Sequence, residues 1–311
     1  MTSSPRPAVM REQIDDGSAG QRIDNYLLRM CKGVPKSHIY RILRSGEVRV
    51  NGGRIGPTYR LKEGDEVRIP PLRVAQKTSA GAVPVGTPLP VVYEDDAIVV
   101  IDKPAGRAVH GGSGISYGVI EQLRVQRPDA RMLELAHRLD RETSGLLIIS
   151  KKRSALRVLH DMQRSSAIEK HYFALVAGKW RNPLQHVKFP LYKYLAADGE
   201  RRVRVAEEGK PAHSVVRLVE RRGEFSLVDV ELKTGRTHQI RVHLSHLGFP
   251  LAGDDKYGDF ALNKRLAGAG LKRMFLHAAR LRFAHPLTGE MLDLKAPLAP
   301  ELIEFMDTLP T

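Results

Sequence analysis

The feature that most constrains the fold is a polar segment, residues 136–145, that runs directly into an apolar segment, residues 146–149. The apolar run is closed by a serine and two lysines and predicts a buried strand. The polar segment cannot continue that strand, so we expect a loop laid across the domain. At its centre one carboxylate, Asp140, stands between Arg138 and Arg141. Neighbouring cations favour an ionised carboxyl, which acts as a nucleophile or a base, although most such aspartates form structural ion pairs.

Charge is the property of the composition that says most about partners. The 311 residues include 50 Lys+Arg and 35 Asp+Glu, a net charge of +15. This excess indicates a polyanionic partner, either nucleic acid or an acidic membrane surface. The membrane alternative is weaker, because the longest apolar runs have strand length and fall well short of the roughly 20 residues of a spanning helix. The single cysteine, Cys31, fits a reducing compartment, and with no secretory signal in view we expect a cytoplasmic protein.

The first quarter of the chain predicts a small basic domain. Residues 1–18, rich in Ser, Pro and small residues, are expected to be a flexible N-terminal tail. Apolar residues at helical spacing then predict two helices, followed by strands around a turn at residues 51–53. Residues 1–75 hold 14 basic and 8 acidic side chains, a net charge of +6. A solvated helix face explains such charge equally well, and the candidate RNA-binding cations are Lys36, Arg41, Arg44 and Arg49.

Residues 19–72 resemble the S4 RNA-binding domain, notably at residues 22–24 and 45–52. The resemblance implies an αα-hairpin that contacts structured RNA mainly through phosphates, which gives affinity with little sequence information. Residues 73–88 lack periodicity and are rich in Ala, Gly, Pro and Ser, so we expect a linker there. Residues 89–311 then form the main domain.

The main domain shows both strand and helix patterns. The predicted strands are residues 97–101, 146–149, 169–176 and 225–230, and the predicted helices are residues 119–127, 154–163 and 300–306. Polar and basic residues 181–212 predict hairpins and loops. Alternation within residues 234–243 predicts a further strand, with Gln239, Arg241 and His243 on one face and His238 on the other.

Three residues stand apart as candidates for chemistry: Asp140 in its loop, Tyr172 near a strand start, and Arg241. Metal chemistry is disfavoured, because His238 and His243 are expected on opposite faces of one strand and no ligand spacing joins them. A Ser-His-Asp hydrolase lacks its Gly-x-Ser-x-Gly turn. A glycosidase needs a second acid for Asp140, and only the nearby Glu142 suggests itself.

Four ordered motifs carry a family resemblance: residues 137–145, 170–172, 234–243 and 276–278. They resemble the motifs of the RluA-type pseudouridine synthases, with Glu142 where aspartate is common. The resemblance implies an α+β catalytic domain with a central mixed, mostly antiparallel sheet behind the S4-like domain. It also implies conversion of uridine to pseudouridine in 23S (large-subunit) ribosomal RNA, without cofactor or metal. The partner is then 23S ribosomal RNA or a pre-ribosomal large-subunit particle, and nothing demands more than a monomer.

The same resemblance implies roles for individual residues. Asp140 is the catalytic carboxylate, attacking C1′ of the ribose or removing a sugar proton, and Arg241 pairs with it. Tyr172 stacks on the base and helps take the C5 proton. The target uridine must be extruded, and Arg138 is expected to hold the vacated or flipped position. The further substrate-binding candidates are His137, Thr237, His238 and Gln239.

Two alternatives stay open at this point. A non-catalytic S4-type ribosome assembly or RNA-binding factor needs the basic charge and the first domain, but it does not need Asp140, Tyr172 and Arg241 together. An RNA hydrolase that uses Asp140 with a histidine is the second alternative.

Overall fold

The structure, a computed structural model, describes residues 9–15, 18–31, 33–72, 87–111, 117–197 and 199–310. The expectations for residues 1–8 and for residues 73–86 of the linker lie outside this range. No helix in the described part of the chain is long and apolar enough to cross a membrane.

The N-terminal unit combines two helices with a four-stranded antiparallel sheet of order β1-β4-β2-β3. Its elements are β1 (Met10–Gln13), α1 (Ile23–Met30), α2 (Lys36–Arg44), β2 (Arg49–Val50), β3 (Gly53–Arg54) and β4 (Glu66–Ile69). The predicted turn is confirmed: Asn51 and Gly52 both have positive φ, as a two-residue hairpin turn requires. The two predicted helices are confirmed as well.

One prediction for this unit is wrong. Residues 10–13 fall in the segment expected to be a flexible tail, but they form β1 and pair antiparallel with β4. The strand lies at the sheet edge and its side chains are mostly exposed. It therefore carries no apolar alternation by which a strand would be recognised in the sequence.

The second unit, formed by the described residues from 87 onward, is built on one ten-stranded sheet. The main path of this sheet has the order β10-β13-β14-β9-β15-β8-β6-β5, with β16 paired to β15 and β7 to β8. Its strands are β5 (Val91–Glu94), β6 (Ile98–Lys103), β7 (Glu134–Leu135), β8 (Ser144–Ser150), β9 (Glu169–Ala177), β10 (Leu184–Val187), β13 (Ser214–Arg222), β14 (Phe225–Leu232), β15 (Leu276–Ala284) and β16 (Met291–Lys295). Among the described strands only β8 and β15 pair in parallel, so the predicted mixed, mostly antiparallel sheet is confirmed.

Five helices and a separate hairpin complete this unit. The helices are α3 (Val119–Gln126), α4 (Arg153–Arg164), α5 (Gln239–His246), α6 (Phe260–Gly268) and α7 (Pro300–Asp307), and the hairpin joins β11 (Leu191–Leu195) to β12 (Arg201–Val205). The predicted helices appear as α3, α4 and α7, with no end shifted by more than one residue. Helix α6 has no counterpart among the predictions.

The predicted buried strand at residues 146–149 is confirmed as part of β8, and both of its faces are covered. Successive side chains of a strand point to opposite faces: Leu147 and Ile149 join one apolar cluster, and Leu146 and Ile148 join another. Helix α3 covers the first face and α4 the second. Burying each such side chain contributes about 1.5–3 kcal/mol, so β8 holds the adjoining polar loop on a rigid base.

The strand predicted within residues 234–243 is wrong, because its second half is helix α5. Residues 239–244 are all buried, polar and apolar alike, so the segment lacks the one-sided apolar stripe that marks a surface helix. His238 precedes the helix with φ 53°, in the left-handed region. The residues before it, 234–237, lie in no strand either, so the prediction fails for both halves of the segment.

This correction changes which side chains are neighbours. Gln239, Arg241 and His243 do not share a strand face; instead His238 and Arg241 stand three residues apart at the start of one helix, where side chains are neighbours. His238 and His243 are therefore not separated by the two faces of a strand, and that reason for excluding a metal site no longer applies. Within the described ranges, however, no group of three His, Cys, Asp or Glu side chains has a metal-binding arrangement.

Candidate active site

The loop that carries Asp140 is fastened to the strand behind it. The backbone N–H of Ala136 donates to the carbonyl of Ile148, and the N–H of Ile148 donates to Nε2 of His137 at 3.1 Å. Burial, with the charge of Lys170, lowers the pKa of His137 to about 3. A neutral imidazole is the form that accepts this hydrogen bond, so His137 holds the loop to β8.

A buried lysine fastens the loop from the other side. Lys103 ends β6, is fully buried, and donates from Nζ to the carbonyls of Pro104, Arg107 and Arg141 at 2.8–3.1 Å. Burial, followed by the charge of Arg273, lowers the pKa of Lys103 to about 7. Because Arg141 follows Asp140 directly, this lysine fixes the backbone next to the carboxylate.

Arg241 joins the Asp140 carboxylate to a second, buried one. Its Nη1 lies 3.3 Å from Oδ2 of Asp140, while Nε and Nη2 donate to Asp254 at 2.8 and 2.6 Å. Asp255, which is exposed, lies 3.4 Å from Nη2. Arg241 is 5% exposed; burial lowers its pKa, but hydrogen bonds and charge from Asp254 and Asp140 outweigh burial and raise it. A guanidinium so held stays charged and keeps a fixed direction.

Asp254 is the buried counter-ion of the Arg241 guanidinium. It is fully buried, and its Oδ1 also accepts hydrogen bonds from the backbone N–H groups of Lys256 and Tyr257. Burial raises its pKa, but the hydrogen bond and charge of Arg241 and these N–H groups prevail and lower it. The carboxylate therefore remains ionised inside the protein and anchors Arg241 from behind.

Tyr172 lies on β9 inside the main apolar cluster and is 7% exposed. Burial, with a smaller contribution from the negative charge of Asp140, raises its pKa. The phenol is thus neutral at neutral pH. The structure places Arg241 against Asp140, and it places Tyr172 in the apolar cluster that also contains Leu139, the residue before Asp140.

His238 borders Asp140, and Tyr257 contacts both His238 and Arg241. Nε2 of His238 lies 3.8 Å from Oδ1 of Asp140, and Nδ1 of His238 lies 2.8 Å from the hydroxyl of Tyr257. That hydroxyl also accepts the backbone N–H of Val203, on β12, at 3.0 Å. The Arg241 guanidinium lies over the ring of Tyr257, 5.1 Å from the ring centroid. Arg241 therefore contacts Oδ2 of Asp140, and His238 faces Oδ1.

Comparison with known proteins identifies this arrangement. A family model described as RNA pseudouridylate synthase matches residues 97–246, and one described as S4 domain matches residues 21–67. A relative named ribosomal large subunit pseudouridine synthase C, from Pasteurella multocida (strain Pm70), is 52% identical over 97% of this chain and 94% of the relative. The protein of that name from Escherichia coli (strain K12) is 53% identical over 94% of each chain.

The chain belongs to the RNA pseudouridylate synthase family. The family predicted from four ordered motifs and the S4 domain in front of it are confirmed. Among solved structures, human RNA Pseudouridylate Synthase Domain Containing 1 matches with a TM-score of 0.59 at 23% identity, covering 72% of this chain and 98% of its own. Human RNA Pseudouridylate Synthase Domain Containing 4 gives 0.59 at 24%, covering 71% and 94%. At these identities the likeness shows a shared fold.

The remaining predicted substrate residues of this synthase-family chain divide into two groups. Arg138 and Thr237 are exposed, and within the described part of the chain Arg138 has no ion-pair partner, so both are free to meet a ligand. Gln239 is 2% exposed. Its Oε1 accepts from Thr234 and the N–H of Arg236, and its Nε2 donates to the carbonyl of His213 and to Ser214. Its substrate-binding assignment is corrected: Gln239 holds the segment before α5.

The predicted RNA-binding cations lie on the S4 domain as expected from the helix pattern. Lys36, Arg41 and Arg44 are exposed on α2, on the side away from its buried residues. Arg41 lies 3.5 Å from Glu47. Arg49, on β2, is half-buried and donates to the carbonyl of Gly52 at 3.2 Å. Their binding of RNA stays a prediction.

Sequence reasoning missed three residues of this site: Lys103, Asp254 and Tyr257. Lys103 could have been found, because it ends an apolar strand. A charged group at that point needs hydrogen-bond or ion-pair partners inside the protein. Asp254 and Tyr257 reach Arg241 and His238 only after the chain folds back from α5. No local sequence pattern predicts that contact.

Proposed function

We propose that this protein converts specific uridines of 23S (large-subunit) ribosomal RNA to pseudouridine. The names of its bacterial relatives, at 52% and 53% identity over nearly the whole chain, support this substrate. The S4 domain and the net charge of +15 suit a polyanionic RNA. The reaction breaks the N1–C1′ bond, forms a C5–C1′ bond and replaces the C5 proton by one on N1. It is redox-neutral and adds no group, so we propose that neither cofactor nor metal takes part.

The observation that carries this proposal is the Asp140 carboxylate, partly exposed and held in place by Arg241 at 3.3 Å. Its loop is fixed by His137 on one side and Lys103 on the other. A carboxylate held still at the mouth of a site is suited to attack C1′ or to remove a sugar proton. A protein that only binds RNA has no need of it.

Arg241 and Tyr172 complete the proposed chemistry. Arg241 fixes the orientation of Asp140 and stabilises its negative charge before attack. Tyr172 offers a neutral aromatic ring in the same apolar cluster as Leu139, the residue before Asp140, and we propose that it stacks against the uracil while the base leaves C1′ and turns. Its part in moving the C5 proton remains a prediction.

The target uridine must leave its helix or loop to reach Asp140. Arg138, exposed two residues before the carboxylate, is placed to hold the vacated or flipped position. Lys36, Arg41, Arg44 and Arg49 supply phosphate contacts. Such contacts carry little base sequence, so the choice of uridine rests on RNA shape.

The substrate in the cell is proposed to be RNA of a partly assembled large subunit, in the cytoplasm, with the protein acting as a monomer. Flipping a uridine requires RNA that is not yet locked by ribosomal packing. Purified protein should modify free large-subunit RNA faster than the same RNA in intact subunits. A faster reaction on intact subunits would refute this part of the proposal.

The proposed activity is tested by mapping pseudouridine in large-subunit RNA from cells that lack the protein. Complementation with wild type should restore the lost sites, whereas Asp140→Ala, expressed at the same level, should restore none. A map unchanged by the deletion would instead favour a non-catalytic S4-type assembly or RNA-binding factor.

A further inference from the structure

We propose that Tyr257 fixes His238 in the tautomer that carries its proton on Nε2, and that this ring positions Asp140 from the side opposite Arg241. The inference rests on the proposed catalytic role of Asp140. It assigns a role in catalysis to Tyr257, which no motif of the sequence singled out.

The hydrogen bonds of the Tyr257 hydroxyl favour one tautomer of His238, because only that tautomer gives the phenol proton an acceptor. The backbone N–H of Val203 can only donate, so the Tyr257 oxygen accepts it at 3.0 Å. The one proton of the phenol then has Nδ1 of His238 as its partner, 2.8 Å away. A histidine nitrogen that accepts carries no proton, so in the neutral ring the proton lies on Nε2.

The charge of Asp140 favours the same tautomer. Nε2 of His238 faces Oδ1 of Asp140 at 3.8 Å, where an N–H is attracted to the carboxylate and a bare lone pair is repelled. This separation is longer than a hydrogen bond, and contacts of this kind in a free enzyme tighten when substrate binds. Arg241 thus contacts one oxygen of Asp140, and His238 faces the other.

The backbone also points to a constrained site. His238 has φ 53°, a left-handed conformation that residues other than glycine rarely adopt. Strain of this kind is found where the surrounding contacts over-determine a position, often at active sites. Here it places the ring between Tyr257 and Asp140.

The ring must stay neutral for this arrangement to work. An imidazolium would form an ion pair with Oδ1 of Asp140 and would reduce the reactivity of the carboxylate more than a neutral N–H does. The groups around His238 are Asp140, Arg241, Lys256, Asp254 and Tyr257. Burial lowers the pKa of His238, Asp140 opposes that, and Arg241 and Lys256 add to it, so the net direction is down. The phenol proton on Nδ1 adds to the preference for the neutral ring.

The tautomer can be read directly. Long-range proton–nitrogen NMR spectra of the full chain labelled with ¹⁵N-histidine show which ring nitrogen carries the proton, and the His238 signals are those lost in His238→Asn. We expect a protonated Nε2 and an unprotonated Nδ1 in wild type, and a mixture of tautomers or the imidazolium in Tyr257→Phe. A wild-type protein protonated on Nδ1 would overturn the proposal.

Kinetics on a large-subunit RNA transcript give the second test. Tyr257→Phe should lower kcat about tenfold with KM for the RNA within twofold, and the acid limb of its pH profile should move to higher pH. In a His238→Ala background the same change should have no further effect. An equal loss in both backgrounds would show that Tyr257 acts through the Val203 hairpin, and an unchanged kcat in Tyr257→Phe would also refute the proposal.

Two control variants separate the possible failures. Glu200→Gln weakens the ion pair of the hairpin with Lys256 and leaves the Tyr257 hydroxyl in place, so kcat should stay at the wild-type value. Asp140→Ala should be inactive. If Asp140→Ala were active, the proposed function itself would fail; if only the Tyr257 effects were absent, the present inference alone would fail.

Discussion

The cations of the S4 domain and those of the catalytic domain differ in burial and in partners. Lys36 and Arg44 stand exposed on α2, whereas Arg241 and Lys103 are buried. Exposed charges act through water and are screened within about 10 Å at 0.1 M salt, but buried ones are screened much less. The first group is therefore suited to attract RNA and the second to fix geometry.

A second contrast separates the two buried cations. Arg241 faces carboxylates, and hydrogen bonds and charge outweigh burial to raise its pKa, whereas Lys103 faces backbone carbonyls and burial lowers its pKa to about 7. One cation is thus tied to the acidic groups of the site and the other to the backbone that carries them. The following predictions test both contrasts.

Removing the Arg241 charge should have the largest effect. Arg241→Met leaves Asp254 buried without its partner, which costs about 3–5 kcal/mol of folding free energy, and it releases Asp140. We expect kcat to fall about 1000-fold, equivalent to roughly 4 kcal/mol. Arg241→Lys keeps the charge but cannot bridge two carboxylates with a planar fork. Its kcat should therefore lie between those of wild type and Arg241→Met. A kcat within threefold of wild type in a folded Arg241→Met protein would contradict the account.

The two acidic neighbours of Arg241 form a matched pair. Asp254→Asn should lower kcat about 30-fold, roughly 2 kcal/mol, because the buried side chain loses the charge that orients Arg241. Asp255→Asn removes a carboxylate that is 80% exposed and 3.4 Å from the same guanidinium. Because exposed ion pairs contribute about 0–1 kcal/mol, its kcat should change less than fivefold. Equal effects of the two changes would show that burial does not distinguish them.

The exposed cations of α2 should act on binding alone. Replacing Lys36, Arg41 and Arg44 together by alanine should weaken RNA binding about tenfold at low salt. It should also reduce the slope of log K against log salt by roughly 2, since each lost phosphate contact removes about 0.7–0.9. The kcat at saturating RNA should be unchanged. Asp140→Ala should show the opposite pattern, a wild-type salt slope without turnover. A reduced kcat in the triple variant would show that the exposed cations do not act on binding alone.

Lys103 should have the smallest effect, visible as a pH dependence of stability. Its pKa is about 7 in the folded state and about 10.4 in an unfolded chain, so between these values the unfolded chain binds more protons. The unfolding free energy should then rise with pH above 7, by at most about 1.4 kcal/mol per unit, and this contribution should be absent below 7. Lys103→Met should lose this slope in urea titrations at pH 6, 7, 8 and 9. Parallel curves for the two proteins would contradict the assignment.

Much of the site was predictable because its residues sit in ordered local motifs. Asp140, Tyr172 and Arg241 were named from four short segments, and the apolar run of β8 correctly predicted the loop that carries Asp140. Such patterns are local in sequence, so they survive without knowledge of the fold.

What failed depended on tertiary contacts. Helix α5 is buried over most of its length, so it shows no apolar stripe and its alternation imitated a strand. Edge strand β1 is exposed and shows no pattern at all. Asp254 and Tyr257 become part of the site only where the chain folds back on α5, and Gln239 was misassigned because its four partners lie on distant segments as well as nearby ones.

The most direct test of the central claim is proton release from C5 of uridine by the purified protein. Large-subunit RNA transcribed with uridine tritiated at C5 loses its label to water only where C5 has formed the new bond to C1′. We predict stoichiometric release by wild type, and none by an Asp140→Ala protein that binds the RNA with wild-type affinity. Tritium release by Asp140→Ala, or its absence with wild type, would contradict the assignment of Asp140 as the catalytic carboxylate of this protein.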